Sequence, residues 1–514
     1  MNGENRTTAQ HQQNGNDDEP GESLALISIL GDNSGTAVAK FFESTWQEQC
    51  ALFRWGRRCS LQANNNSAAR QTNANTTIGE PTDFHASNFW NDDAVRNSPY
   101  EELIDQGWIA LVQLLADAPI PPSNHNDNTV EHVIHGSTQH TAPLLFKDKV
   151  SVTNDLATSY NNNLMTAYLD GCSVVLNHAD WTSPWIAAVC QDLQKSFPHV
   201  FTNAYLTPPG AQAVRAHADD RDVFIIQVVG KKQWTVYQKV PIPYPYPHEQ
   251  VGKERLEVPQ EVLEGPKIIQ TTLQPGDVMY MPRGYVHEAL THEDSCSFHV
   301  TIALATHDWT LAGILTAATE SILHSVVDYR KALPRTIGGQ NIKQIPLHDQ
   351  EQLQQQIQQA FQRVQEEVTV AAISESLGNK FHRHNHRAFS VRMKSMHAMR
   401  FPSESAPPRV IVGPRAARLV ALDSLVRAAT PEEKASVIVD KPRGLLPREE
   451  IAGAIVFILR KIKEAANREF VVKDLRSLLP ENVSIPNVDM ICPLTLLSFA
   501  RVCVEQGAIA LVYR

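Results

Sequence analysis

His217-Ala-Asp219 is followed seventy positions later by His287, inside the run Pro282-Arg-Gly-Tyr-Val-His-Glu288. Two imidazoles and one carboxylate can ligate one face of a metal and leave the other positions open, the donor set of a non-haem Fe(II) centre that handles O2. His217 and Asp219 are two apart, so on an extended segment their side chains point the same way. The apolar run from Val223 to Val229 just beyond them reads as a buried strand. A third ligand so far along the chain is what a rolled-up sheet supplies. By itself His-x-Asp is a common pattern. The alternative reading of each histidine is a hydrogen-bonded core or loop residue.

The elements that would position these residues must come from a chain of 514 residues, long enough for two to four domains. Its hydrophobic fraction of 42% is ordinary for a globular protein. A net charge of −10 argues against nonspecific nucleic-acid binding through a global basic field. The seven cysteines are scattered and form no Cys-x-x-Cys. Neither a disulfide framework nor a cysteine zinc site is expected, and the usage fits a reducing, intracellular compartment. The polar N-terminus predicts no secretory signal, and no apolar run approaches the length of a membrane span.

Residues 1–22 are rich in Asn, Gln, Gly and Asp and are expected to be disordered. Two further polar tracts, Asn64 to Thr77 and Pro119 to Thr141, read as inserted loops. Ordered sequence begins near Ser23. Between Val150 and Ala305 short apolar runs alternate with turn residues, the spacing of an all-β sandwich or barrel. One helix, about Trp185 to Ser196, interrupts it. After His307 the texture becomes helical. Trp309 to Leu333 predicts one long helix. His348 to Ser376 predicts another, with Leu353, Ile357, Phe361, Val364 and Val368 at helical spacing. A linker-like run follows at Phe401-Pro-Ser-Glu-Ser-Ala-Pro-Pro408. The last hundred residues predict a helix over Pro447 to Ala466, a short strand and helix over Phe470 to Leu479, a helix over Cys492 to Gln506 and a strand over Ala508 to Tyr513. That order suggests a winged-helix arrangement, whose mixed charges favour a protein-facing or structural role over DNA binding.

The runs Asn203-Ala-Tyr-Leu-Thr-Pro-Pro209, His217-Ala-Asp219, Gly230-Lys-Lys-Gln-Trp234, Pro275-Gly-Asp277 and Pro282-Arg-Gly-Tyr-Val-His287 occur in one order. In them the chain resembles the JmjC-domain ribosomal oxygenases, a cupin-fold branch of the 2-oxoglutarate oxygenases. The resemblance is close over about Asp170 to Ala305 and looser to the C-terminus. It implies an α+β fold: a double-stranded β-helix (cupin/JmjC) barrel, then a helical dimerisation block, then a C-terminal winged-helix domain. The implied divisions are a tail at 1–22, a catalytic domain at 23–307, a helical block at 308–400 and a winged-helix domain at 401–514.

The resemblance also implies Fe(II), with 2-oxoglutarate and O2 as cosubstrates. His217, Asp219 and His287 would be the metal ligands. Lys232 matches the family's cation for the far carboxylate of 2-oxoglutarate, and Thr301 is placed to help it. Lys232 shares a strand face with Trp234 and Val236; the competing reading is a solvated hairpin lysine, as expected for Lys231. Asn203 and Tyr205 correspond to positions lining the substrate pocket, against the plainer reading of strand-end capping and core packing. Ala218 stands where many relatives carry Tyr, and Ala303 where relatives often carry Ser, so the substrate is left open. Asp220 could compete as a ligand, but strand alternation should turn it away. Phe381-His-Arg-His-Asn-His386 has the look of a metal site, yet, mixed with Arg and in an expected loop, it reads better as a solvated basic turn.

The expected function is therefore hydroxylation of a protein side chain, a histidine of a ribosomal protein by resemblance. The alternative is N-methyl-lysine demethylation of a histone by the same iron chemistry. A third reading, of another class, is a non-catalytic cupin-fold scaffold. It is weakened by the complete ligand triad and the presence of Lys232. The expected partners are a protein substrate and a second copy of the chain, with no membrane and no strong nucleic-acid signal. The resemblance implies a nuclear or nucleolar location, although no compact Lys/Arg run is present.

Overall fold

The computed structural model describes residues 23–31, 36–54, 98–117, 143–160, 163–197, 199–253, 256–333, 345–400, 411–437, 445–480 and 487–512. The expected tail at 1–22, both polar tracts and the linker-like run at Phe401 to Pro408 lie outside the described residues.

The alternating sequence between Val150 and Ala305 folds into two facing antiparallel sheets. The larger sheet contains β1 (Ala51–Phe53), β2 (Leu144–Lys147), β3 (Val150–Ser151), β4 (Ser173–Leu176), β5 (Val200–Thr207), β6 (Asp222–Gly230), β9 (Val278–Met281) and β11 (Ser297–Leu304). Their spatial order is β1-β9-β6-β11-β5-β4-β2-β3. The smaller sheet contains β7 (Lys232–Tyr237), β8 (Lys267–Leu273) and β10 (His287–Thr291), in the order β10-β7-β8. The order departs from chain order in both sheets, which is how residues seventy apart in sequence become neighbours.

Strand periodicity divides β6 between two cores. Phe224, Ile226 and Val228 enter the large core beneath the outer helices. Val223 and Ile225 point the other way, into a core between the sheets with Trp234, Val236, Leu273, Met279 and Met281. Burial on both faces explains why Val223 to Val229 is almost uninterruptedly apolar. The helix Pro184–Leu193 covers the outer face, with Ile186, Val189, Cys190 and Leu193 buried. Ser183 caps its N-terminus, accepting from Ile186 N. β6 turns into β7 at Gly230, which has φ 69° and approaches Cys296 so closely that a Cβ would lie 1.8 Å from its carbonyl oxygen. Only glycine fits that turn, and the turn sets which way Lys232 points.

The helical region differs from expectation in three places. The first helix is Leu311–Ser325, shorter than the expected span to Leu333, and a 3-10 turn at Val327–Arg330 follows it. Val326 is extended there. Two adjacent β-branched valines, stiff at χ1, suit a stop at that point. The second expected helix is two, Leu347–Glu367 and Val370–Arg400. Val368 is extended and the Thr369 hydroxyl caps the next helix by accepting from Ala372 N. The histidine-rich run Phe381 to His386 is therefore helical, contrary to the expected loop. Helix geometry spreads its side chains around the axis. Phe381 packs on Trp309, and His384 meets His199 at a centroid distance of 3.7 Å.

The C-terminal region contains the helices Glu449–Glu464 and Pro493–Glu505 and a sheet in the order β13-β12-β14. Its strands are β12 (Leu425–Ala428), β13 (Phe470–Val471) and β14 (Ile509–Val512), of which β12 was not anticipated. Helix Pro493–Glu505 packs on helix Leu164–Leu169, and their apolar side chains share one continuous core. Among the described residues no helix is long and apolar enough to cross a membrane.

Candidate metal centre

His287 opens β10, and His217 pairs with it through two backbone hydrogen bonds, His217 N to His287 O at 3.0 Å and His287 N to His217 O at 2.9 Å. The His-x-Asp run was expected on a strand. It is instead a single bridge at the edge of the smaller sheet, and Asp219 lies just beyond it. Two further bonds hold that backbone: Ala218 N donates to Val251 O at 2.9 Å, and Gly284 N donates to Asp219 O at 3.0 Å.

The three side chains converge, with one ligand atom from each lying within 4.8 Å of the others. His217 Nε2 is 3.8 Å from Asp219 Oδ1, and His287 Nε2 is 3.8 Å from Asp219 Oδ2. Both Nδ1 atoms face carbonyls, Arg215 O at 2.7 Å and Tyr285 O at 3.1 Å. A carbonyl only accepts, so each Nδ1 carries the proton and each Nε2 presents a lone pair to the cluster. Burial, then the Lys253 ammonium and the neighbouring His287, push His217 down to about 3. Burial likewise lowers His287, against the opposing pull of Asp219. Burial alone would raise the Asp219 carboxyl, but Lys253 and the two imidazoles outweigh it and hold the group well below the usual carboxylate range. Two neutral imidazoles and one carboxylate, aimed at one point from one side, are the protonation states a divalent cation needs.

The cluster forms one wall of an open-mouthed cavity that Tyr205, Lys232, Trp234, His299 and Thr301 also line. Lys232 is 2% exposed. Its Nζ donates to Thr207 Oγ1 at 3.1 Å, and among the described residues no carboxylate pairs with it. Burial pulls this ammonium down to about 7. A buried cation without a counter-charge is costly. Its place in a cavity walled by a metal-type cluster is what an anionic ligand spanning the two would satisfy. Lys231, its neighbour, is exposed.

Thr301 lies on β11 opposite Asn203 and Ile225 and borders the cavity. Tyr205 stacks on His299 at 4.7 Å with the rings 6° apart. Asn203 accepts from His178 N at 3.3 Å. Asp220 is turned away, gripped by Arg221 through two bonds of 2.7 Å. Among the described residues the histidines at 382, 384 and 386 join no metal-type cluster. Lys253 and His299 are site residues that sequence reasoning passed over. His299 is buried between Tyr205 and Trp234, and burial followed by the nearby Lys232 holds it well below the usual imidazole value. Its only signal was a histidine at inward phase in the apolar run Phe298 to Leu304.

Residues 181–310 match the family model described as the JmjC domain, a span that contains the three-residue cluster, Lys232 and Thr301. Among similar proteins is a "Bifunctional lysine-specific demethylase and histidyl-hydroxylase NO66" of Drosophila sechellia. It is 37% identical over 172 residues, covering 33% of this chain and 25% of that protein. The protein of the same name from Dictyostelium discoideum is 32% identical over 204 residues, covering 37% of this chain and 39% of that one. The matches thus span well under half the length of these relatives. The structure of YcfD, a ribosomal oxygenase from Escherichia coli in complex with cobalt and 2-oxoglutarate, aligns over 92% of this chain and 98% of that one. That likeness is slight, at 13% identity and a TM-score of 0.35.

Proposed function

We propose that this JmjC-domain protein is an Fe(II)- and 2-oxoglutarate-dependent oxygenase that hydroxylates a protein side chain, with a histidine of a ribosomal protein as the substrate class. One observation carries the reading: a buried ammonium, Lys232, which no carboxylate among the described residues pairs, borders the same cavity as three convergent metal-type ligands. In this reading His217, Asp219 and His287 hold the metal on one face through two Nε2 atoms and one carboxylate oxygen, which leaves the cavity side open. Lys232 binds the far carboxylate of 2-oxoglutarate, with Thr207 and Thr301 beside it. Trp234, Tyr205 and His299 wall the cavity, while Tyr205 and Asn203 orient the substrate side chain. Iron with 2-oxoglutarate and O2 supplies the oxidation of a C–H bond, the cosubstrate leaving as succinate and CO2.

The same centre would support N-methyl-lysine demethylation if the carbon presented were bonded to nitrogen, and the relatives' names carry both activities. A non-catalytic scaffold would have no use for Lys232 buried without a counter-ion. Mass spectrometry of ribosomal proteins and histones from cells with and without this protein separates the three. A histidine gaining one oxygen supports the hydroxylase, a lost lysine methyl the demethylase, and no change in either the scaffold.

The helices Leu311–Ser325 and Leu347–Glu367 expose Leu311, Leu315, Ile357 and Phe361, and Val370 follows them. A second copy covering these side chains makes the protein a homodimer. The domain divisions 1–22, 23–307, 308–400 and 401–514, the winged-helix character of the last and a nuclear or nucleolar location complete the proposal.

A further inference from the structure

The two oxygens of Asp219 face different partners. Oδ2 is the one nearest His287 Nε2, at 3.8 Å. Oδ1 lies equally far from His217 Nε2, at 3.8 Å, and accepts a hydrogen bond from the Lys253 ammonium. Lys253 follows the 3-10 turn Pro247–Glu249 in a segment built onto the ligand-bearing run. Val251 O accepts from Ala218 N at 2.9 Å. Val251 is buried with Ala218, Tyr237, Val262 and Val286 in a small core of their own. Gly252, at φ 78°, lies so near that a Cβ there would stand 2.2 Å from Ala216 O and 2.7 Å from His217 Cα. Lys253 N donates to Gln250 O, and its Nζ also reaches Gln250 Oε1, each at 3.3 Å. The ammonium is thus placed on Asp219 by packed backbone as well as by its own side-chain bonds.

We propose that Lys253 is a positioning residue that reserves Oδ1 of Asp219, so that the carboxylate offers a metal one oxygen, Oδ2. The inference rests on the iron-oxygenase reading above. A carboxylate can ligate through one oxygen or through both. Three single-atom ligands leave three octahedral positions, enough for a chelating keto acid and O2. A carboxylate bound through both oxygens would take one of them. Lys253 also sets a positive charge beside the site, which opposes a cation there. Its two effects have opposite signs for two ligands. Removing it strengthens metal binding and weakens keto-acid binding to the metal-loaded protein, whereas simple structural damage weakens both.

The test is calorimetric titration of the full-length protein with Co(II), then of the Co(II)-loaded protein with 2-oxoglutarate. It is run on the wild type, Lys253→Met and Lys253→Arg, with melting temperatures taken before and after metal is added. Lys253→Met is expected to bind Co(II) about ten-fold more tightly, the repulsion of a nearby ammonium being gone, and 2-oxoglutarate at least about ten-fold more weakly. Its metal-free melting temperature should fall, because Asp219 loses its ion pair, and should recover once Co(II) is bound, and Lys253→Arg should restore 2-oxoglutarate binding. A Lys253→Met protein that binds both ligands as the wild type does, or both more weakly, overturns this inference alone. A wild type that binds no Co(II) overturns the iron reading together with it.

Discussion

Lys232 is the residue on which cosubstrate binding depends. Removing its cation would leave a buried carboxylate unpaired, at a cost on the order of 3–5 kcal/mol. Lys232→Ala should therefore raise the KM for 2-oxoglutarate by two to three orders of magnitude, roughly, with Co(II) binding spared; an unchanged KM would move the role to another cation, Lys231 first. The same burial makes a pH prediction. Burial brings the folded ammonium to about 7, against an ordinary value of 10.5. Between those values the folded chain holds fewer protons than the unfolded one. Lys232 thus costs stability in full below pH 7, and the cost fades as pH rises toward 10.5. Without ligands, Lys232→Met should melt higher than the wild type at pH 6.5, with the gap closing by pH 10, as calorimetry would read. Lys232 is legible in the sequence because Gly230 and the alternation with Trp234 and Val236 give it a phase. Lys253 is not legible. It lies in a polar segment with no period, and only the packing of Val251 and Gly252 brings it to Asp219.

Among the elements, the strands carrying the site are readable and the breaks between helices are not. Alternation marks β7, and an almost unbroken apolar run marks β6 as central. Helical spacing continues through Val368, so the stop at Val368-Thr369 shows only as an extended residue followed by a hydroxyl cap. The long helix Val370–Arg400 is anchored by Arg392, which pairs with Asp180 at 2.8 Å with both side chains fully buried, and also donates to Val200 O at 3.1 Å. Nothing in the sequence singles out Arg392, because its partner lies 212 residues away. Arg392→Ala should destabilise the protein by about 3–5 kcal/mol by leaving Asp180 buried and unpaired, and chemical denaturation measures it. A cost near zero would show that the helix is not anchored there.

At the scale of the whole molecule, the C-terminal region is bound to the barrel through side chains and backbone alike. Arg448 N donates to Leu169 O at 2.7 Å, and its guanidinium donates to Pro209 O at 2.6 Å, just after the run Asn203 to Thr207. A chain ending before residue 411 would expose the face of helix Leu164–Leu169 that the helix Pro493–Glu505 covers, and should aggregate rather than yield an active barrel. Size-exclusion chromatography of the truncated protein checks this. The dimer is tested by sedimentation at low micromolar concentration, where a mass near twice 57.2 kDa is expected. A clean monomer would refute it. The central claim is that His217, Asp219 and His287 hold a catalytic iron beside Lys232. The most direct measurement is succinate release from 2-oxoglutarate with Fe(II) and O2 present, comparing the wild type with His217→Ala of unchanged melting temperature. Turnover by the wild type and none above background by the variant is the predicted result. Equal turnover by the two proteins would contradict it.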